Sequence, residues 1–292
     1  MLTLFSIIAI MLTKLRMSVK DAIKEFGIIV DTVYAKGLRP EERTEKLRDC
    51  MESLLKQRER PIDLALEGSR DGRCLGYVNP SQTTCCFADY IYRLVMAASS
   101  LNVSDKVRFR TYLVPTDPPS EITVVEAALA TCASPSEFLP VPVGSDYEKR
   151  VYAGAGIGAN NPVRHILDET SIHFSADPSL LLSLGSGHPG VLALDREKHD
   201  LGLHALMLEM MGDCEQEAVE AHHQLGHCDF YYRFSVVQGM QKVDSRAEGL
   251  EWIAAQTDNY FKLPEMVPEV AKCVHQMTLR SKTSVPDQPG TV

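Results

Sequence analysis

The chain is expected to fold as a layered α/β domain, and three observations carry that expectation. Short segments of strand character alternate along it with longer helical segments. The run Ser179-Leu-Leu-Leu-Ser-Leu184 is largely apolar and of strand length, as a parallel strand covered on both faces requires. A glycine-dense turn, Tyr152-Ala-Gly-Ala-Gly-Ile-Gly-Ala-Asn-Asn-Pro162, stands where a strand gives way to a helix.

Taken in order, residues 7–16 are apolar enough for a buried helix. Ser18 and Asp21 have capping-box spacing, so a second helix is expected from there to Tyr34. Over residues 40–57, Leu47, Met51, Leu54 and Leu55 recur on one helical side. The polar Gly68–Gly72 stretch suits a loop. Arg108–Val114 alternates like a strand and is broken by the Pro-rich 115–119. A helix over 121–132, an extended segment over 138–143 and a strand over 149–153 then lead into the glycine turn.

Pro162 suits the first position of a helix expected over 163–170. After the strand at 179–184 come a helical stretch at 199–225, a strand at 230–237 and helices at 245–257 and 264–280. Trp252 and the Met207–Met211 patch are expected to fill core gaps. The tail 281–292 carries Pro and Ser and is expected to be disordered.

With 292 residues and 45% hydrophobic content, the chain can bury a substantial core as one large domain or two small ones, and residues 1–280 are read as one domain. A net charge of −9 argues against nucleic acid as a partner, since phosphate backbones need clustered Lys and Arg. Eight cysteines without Cys-x-x-Cys spacing suit the reduced thiols of a cytoplasmic protein. The apolar start is followed, not preceded, by Lys14 and Arg16, and it falls short of the ~20 residues a span needs, so any membrane contact is peripheral.

Inside the glycine turn there is no carboxylate, imidazole or thiol, so it carries geometry without an acid or a base. In this setting the chain resembles the patatin-like phospholipases, a family of lipid acyl hydrolases, and especially their fungal multidomain members. Thr123–Phe138 is similar to the helix and turn before that family's aspartate turn, and Leu182–Gly187 to the strand end after it. Tyr231–Ser235 resembles the late strand, and Ile7–Leu12 through Met17–Asp21 resembles the helix after the nucleophile. The resemblance covers residues 5–275 and is weakest over 60–105.

It implies a three-layer sandwich around a mostly parallel sheet, incomplete at the N-terminus. It also implies ester hydrolysis by a Ser–Asp dyad: a serine on a Gly-x-Ser-x-Gly elbow, an aspartate as base and a glycine-rich oxyanion loop. No metal or organic cofactor is implied, and the partner is a lipid or membrane surface. Carried over residue by residue, the chemistry is missing. Thr3 falls at the nucleophile position without flanking glycines, Ser6 is offset by three residues, and Gly154 falls where the aspartate belongs. Ala155, Gly156, Asn160 and Asn161 complete the former dyad turn. The strand and oxyanion loop have no counterpart, as expected of a shortened natural chain or of a gene model lacking an upstream exon.

Losing members of a catalytic unit costs orders of magnitude in rate, so the expectation is a hydrolase scaffold without turnover. The alternatives are a non-catalytic lipid-binding or interaction remnant, and nucleotide binding through Gly185-Ser-Gly-His-Pro-Gly190, which satisfies G-x-G-x-x-G after a strand. Pro189 and the charged stretch after it fit a nucleotide loop poorly. Asp146 and Glu148 read as a solvated loop, not a substitute base. His223 and His227 are four apart and could share one helix face as a metal pair would, but without a third spaced ligand the cluster of His222, His223 and His227, with Cys228 and Asp229, reads as an exposed helix end.

Overall fold

A computed structural model describes residues 5–67, 94–102, 104, 106–111, 121–134, 137–145, 147–174, 180–185, 187, 207, 210, 214–225, 230–236 and 246–283. The chain divides into two compact units. One takes its residues from Met1–Gly72, Tyr92–Pro162 and Val191–Cys214, the other from Arg73–Ile91, Val163–Gly190 and Glu215–Val292.

The first unit opens with α1 (Phe5–Thr13), α2 (Val19–Val33) and α3 (Pro40–Gln57). Ile7, Ile10 and Met11 are buried, so the apolar start is a core helix as expected. Ser18 caps α2 by accepting from the Asp21 amide at 3.1 Å. Asp21 does not complete the expected box in return; its carboxylate lies 3.6 Å from Arg58. Pro40 pre-sets the first turn of α3, where Glu42 accepts from the Arg39 amide at 2.8 Å. That N–H holds the Glu42 carboxyl below the usual range. The anticipated stripe of Leu47, Met51, Leu54 and Leu55 is buried.

At the centre of the unit lies α4 (Val124–Cys132), apolar on every side apart from Glu126 and Thr131. A helix of that composition must be covered all round. It packs against α1, α3, β1 (Leu94–Ser99), β3 (Val141–Val143) and β4 (Arg150–Gly154). A full capping box starts it: Thr123 Oγ1 accepts from the Glu126 amide at 3.1 Å, and Glu126 accepts from the Thr123 amide at 2.9 Å.

With β2 (Lys106–Arg110), these strands form a sheet in the order β2-β1-β4-β3. All three pairings are antiparallel, which corrects the expectation of a mostly parallel sheet. Connection length explains the β1–β2 and β3–β4 pairings. Residues 100–105 join β1 to β2 and residues 144–149 join β3 to β4, too short for the crossover that parallel neighbours need. The β3 edge also accommodates Pro142, exposed between buried Val141 and Val143.

In the second unit the pairing is parallel: β5 (Leu181–Leu184) lies beside β6 (Tyr231–Phe234). Around them run α6 (Val163–Phe174), α7 (Glu215–Leu225), α8 (Arg246–Phe261) and α9 (Met266–Thr283). Leu181 and Tyr231 pack with Val163 of α6 and Ala221 of α7. On the other side of β6, Tyr232 and Phe234 pack with Tyr260 of α8 and Cys273 of α9. The expectation that 179–184 is covered on both faces fails, because Leu184 is 72% exposed and Leu182 is exposed with it. Met207, Met210 and Trp252 are likewise exposed, not core. Of the 199–215 stretch only Met207, Met210, Cys214 and Glu215 fall among the described residues, and residues 284–292 of the tail lie outside them. Among the described residues no helix is long and apolar enough to cross a membrane.

Two consequences are measurable. Thr123→Ala should lower stability by about 1 kcal/mol in urea unfolding, the usual loss for a helix cap. Burial pushes the fully enclosed Cys132 thiol far above its ordinary 9.0. The folded state therefore keeps a proton that the unfolded chain releases, so this stability is whole below pH 9.0 and is lost as pH rises beyond it. Wild type should weaken relative to Cys132→Ala above that pH, by about 1.4 kcal/mol per pH unit for one such group.

Candidate functional site

The glycine turn begins at the end of β4, where Gly154 pairs with Ala97 of β1. Its amide donates to the Ala133 carbonyl at 2.8 Å, which ties β4 to the residue closing α4. A Cβ at position 154 would stand 2.9 Å from the Thr131 carbonyl oxygen and 3.4 Å from the Ala133 carbonyl carbon. Both obstacles are backbone and cannot rotate away. Gly154 is therefore required by the approach of α4. A carboxylate at that position, as the resemblance implies for a hydrolase, has no room in this packing.

Beyond it, α5 (Gly156–Ala159) is a single turn, with Ala155 and Ala159 buried against Met96. Gly156 faces open space. Gly158 has φ +81°, in the left-handed region, and its open side faces the end of the Lys106 side chain, with Nζ 3.8 Å from where a Cβ would lie. Burial lowers the Lys106 pKa. Asn161 is only 8% exposed, and its Nδ2 donates to the Cys214 carbonyl at 3.3 Å. Asn160 is half-buried beside it. Pro162 falls one residue ahead of α6, not inside its first turn.

Three elements converge here. Thr131, in the last turn of α4, donates from its hydroxyl to Ser6 Oγ in the first turn of α1 at 3.1 Å, while its carbonyl faces Gly154. Ser6 Oγ thus accepts from another hydroxyl across a helix-to-helix contact. Thr3 and Asp146 lie outside the described residues, and Glu148 is exposed in a turn, its amide bonded to the Ser145 carbonyl at 3.0 Å.

In the second unit, Gly185 also answers to a close approach. A Cβ there would lie 2.3 Å from Ser235 Oγ and 3.2 Å from Arg233 Nη2, so glycine is needed without invoking a phosphate. Gly187, at φ +100°, shares the left-handed region, while Ser186 and His188–Gly190 lie outside the described residues. His222 and His223 are exposed on α7, and His227, Cys228 and Asp229 lie outside the described residues. Among the described residues no group of three or more His, Cys, Asp or Glu side chains is placed to hold a metal. Sequence reasoning missed Lys106 at the turn, because a lysine in an alternating strand carries no signal of what its tip will reach.

No protein-family model, curated protein or solved structure matches the chain.

A paired substitution separates crowding from generic glycine effects. Gly154→Ala should destabilise by roughly 1–3 kcal/mol, the range for overpacking. Gly156→Ala, in open space at a helix start, should be neutral or stabilising by up to about 1 kcal/mol. Thermal or urea unfolding of the two variants side by side reads the difference.

Proposed function

We propose that the chain is a patatin-like lipid acyl hydrolase scaffold without ester turnover, which serves as a lipid-binding or interaction module. The convergence of α1, α4 and the β4 turn supports the scaffold part of this reading, since these are the segments whose sequences resemble that family. The antiparallel sheet departs from the family's parallel one, so the likeness rests on those segments and not on the sheet. One observation carries the loss of turnover. The backbone of α4 fills the space a catalytic aspartate at position 154 would need, and a hydroxyl nucleophile without a base is weak.

A lipid-facing surface is supported by α2. Val19 and Ile23, one helical turn apart, are both 63% exposed, and Lys20 and Lys24 flank them. Aliphatic side chains bordered by lysines suit the boundary between acyl chains and anionic headgroups.

Hydrolysis of a short-chain nitrophenyl ester should stay at the uncatalysed rate, and Gly154→Asp should not raise it. Turnover that disappears in Thr3→Ala would overturn this reading. Sedimentation with anionic vesicles should show binding without turnover, and the Val19→Ser/Ile23→Ser double variant should lose about tenfold or more in partitioning, as removal of buried apolar area implies.

A further inference from the structure

The face of the parallel pair that packs against α6 and α7 changes chemistry along its length. Register sets Leu181 beside Tyr231 and Ser183 beside Arg233. Gly185 and Ser235 follow, where the Gly185 amide donates to the Phe234 carbonyl at 2.8 Å. Leu181 and the Tyr231 ring make the amino end apolar. The carboxyl end is polar: Arg233 donates from Nη1 to Ser183 Oγ at 2.9 Å and from Nη2 to Glu215 Oε1 at 2.9 Å. Its side chain is only 13% exposed, and that of Glu215 is 30% exposed. Glu215 is the first residue of α7, so its carboxylate occupies the positive end of an 11-residue helix.

Two hydroxyls in this cluster are left over. Tyr231 is 8% exposed, and its Oη meets no hydrogen-bond partner; Ser235 Oγ is buried in the same condition. Buried hydroxyls without partners are costly to hold. Tyr231 and Arg233 share one face of β6 and Ser235 follows at the next alternate position, one residue past the strand, so the two orphans bracket Arg233 along the chain. Burial first raises the Tyr231 pKa; Arg233 and Ser183 lower it and Glu215 raises it, which puts the hydroxyl among them. Ser183 accepts from Arg233, yet Tyr231 Oη beside it makes no hydrogen bond. The missing side chain at Gly185 leaves these groups their space.

Carboxyl ends of parallel strands and helix N-termini are where α/β proteins take phosphate groups. We propose that this cluster is a site for a phosphate-type oxyanion, with Arg233, Tyr231 and Ser235 as donors and Glu215 as a built-in competitor. Glu215 neutralises the guanidinium and sits at the helix end until the anion displaces it; the two orphan hydroxyls then gain their acceptor. This inference does not rest on the lipid reading, which uses other residues.

Titration of inorganic phosphate into the full chain, read by calorimetry, tests it. Weak saturable binding is expected, with Glu215→Gln tightening it about tenfold, Tyr231→Phe weakening it and Arg233→Met abolishing it. Tyr231→Phe keeps the ring packing and removes only the orphan hydroxyl, so it remains informative if Arg233→Met fails to fold. Unchanged affinity of both Glu215→Gln and Tyr231→Phe for inorganic phosphate and for phosphatidic acid vesicles alike overturns the site, as does the absence of Glu215→Gln binding to both. The same variants run against phosphatidic acid vesicles decide the source of the phosphate. Sensitivity there alone assigns a lipid headgroup, and sensitivity to inorganic phosphate alone assigns a free ligand.

Discussion

The first unit depends on how closely β4 can approach the end of α4. A helix with alanine at 127, 128, 130 and 133 offers little side-chain bulk, and Gly154 offers none. Backbone therefore meets backbone, with the Gly154 amide bonded to the Ala133 carbonyl. This contact places β4 between β1 and β3 and fixes where the glycine turn begins. The same packing leaves no room for a side chain of any chemistry at position 154. The glycine is thus an architectural requirement.

Much of the helical framework was legible in the sequence, because helical period and cap residues act locally. The Leu47, Met51, Leu54 and Leu55 stripe and the Ser18 cap both emerge where local reasoning puts them. Sheet direction was less legible. It depends on which strands pair, and β1, with its short apolar Leu94–Ser99 run, was not anticipated at all. The short connections within the β1–β2 and β3–β4 pairs leave antiparallel pairing as the available arrangement there, while β1 and β4 meet across a long intervening segment. The exposure of Leu182 and Leu184 failed to show for a related reason: an apolar run states what a strand could bury, not what lies across from it.

The candidate site divides in the same way. The glycine turn was visible as a run of residues, yet the reason for Gly154 lay in Thr131 and Ala133, more than twenty positions earlier. The polar cluster of the second unit was invisible. Tyr231, Arg233 and Ser235 read as one side of a strand, but only the pairing with Ser183 and the arrival of Glu215 turn them into a shared environment. In that environment a charge pair, two unused hydroxyls and a helix end meet in a small volume, which no spacing rule along the chain would reveal.

The strand order also bears on the route by which the first unit assembles. β1 and β2 are separated by residues 100–105 alone, so their ladder closes a small loop at little entropic expense. β1 and β4 are separated by residues 100–149, and their pairing must wait for a much larger closure. The two-stranded hairpin and the 9-residue α4 are each too short to persist alone, and β4 docks onto both. The glycine turn, hanging from the end of β4, is then among the last pieces to acquire its shape, and its geometry reports that the rest of the unit has come together.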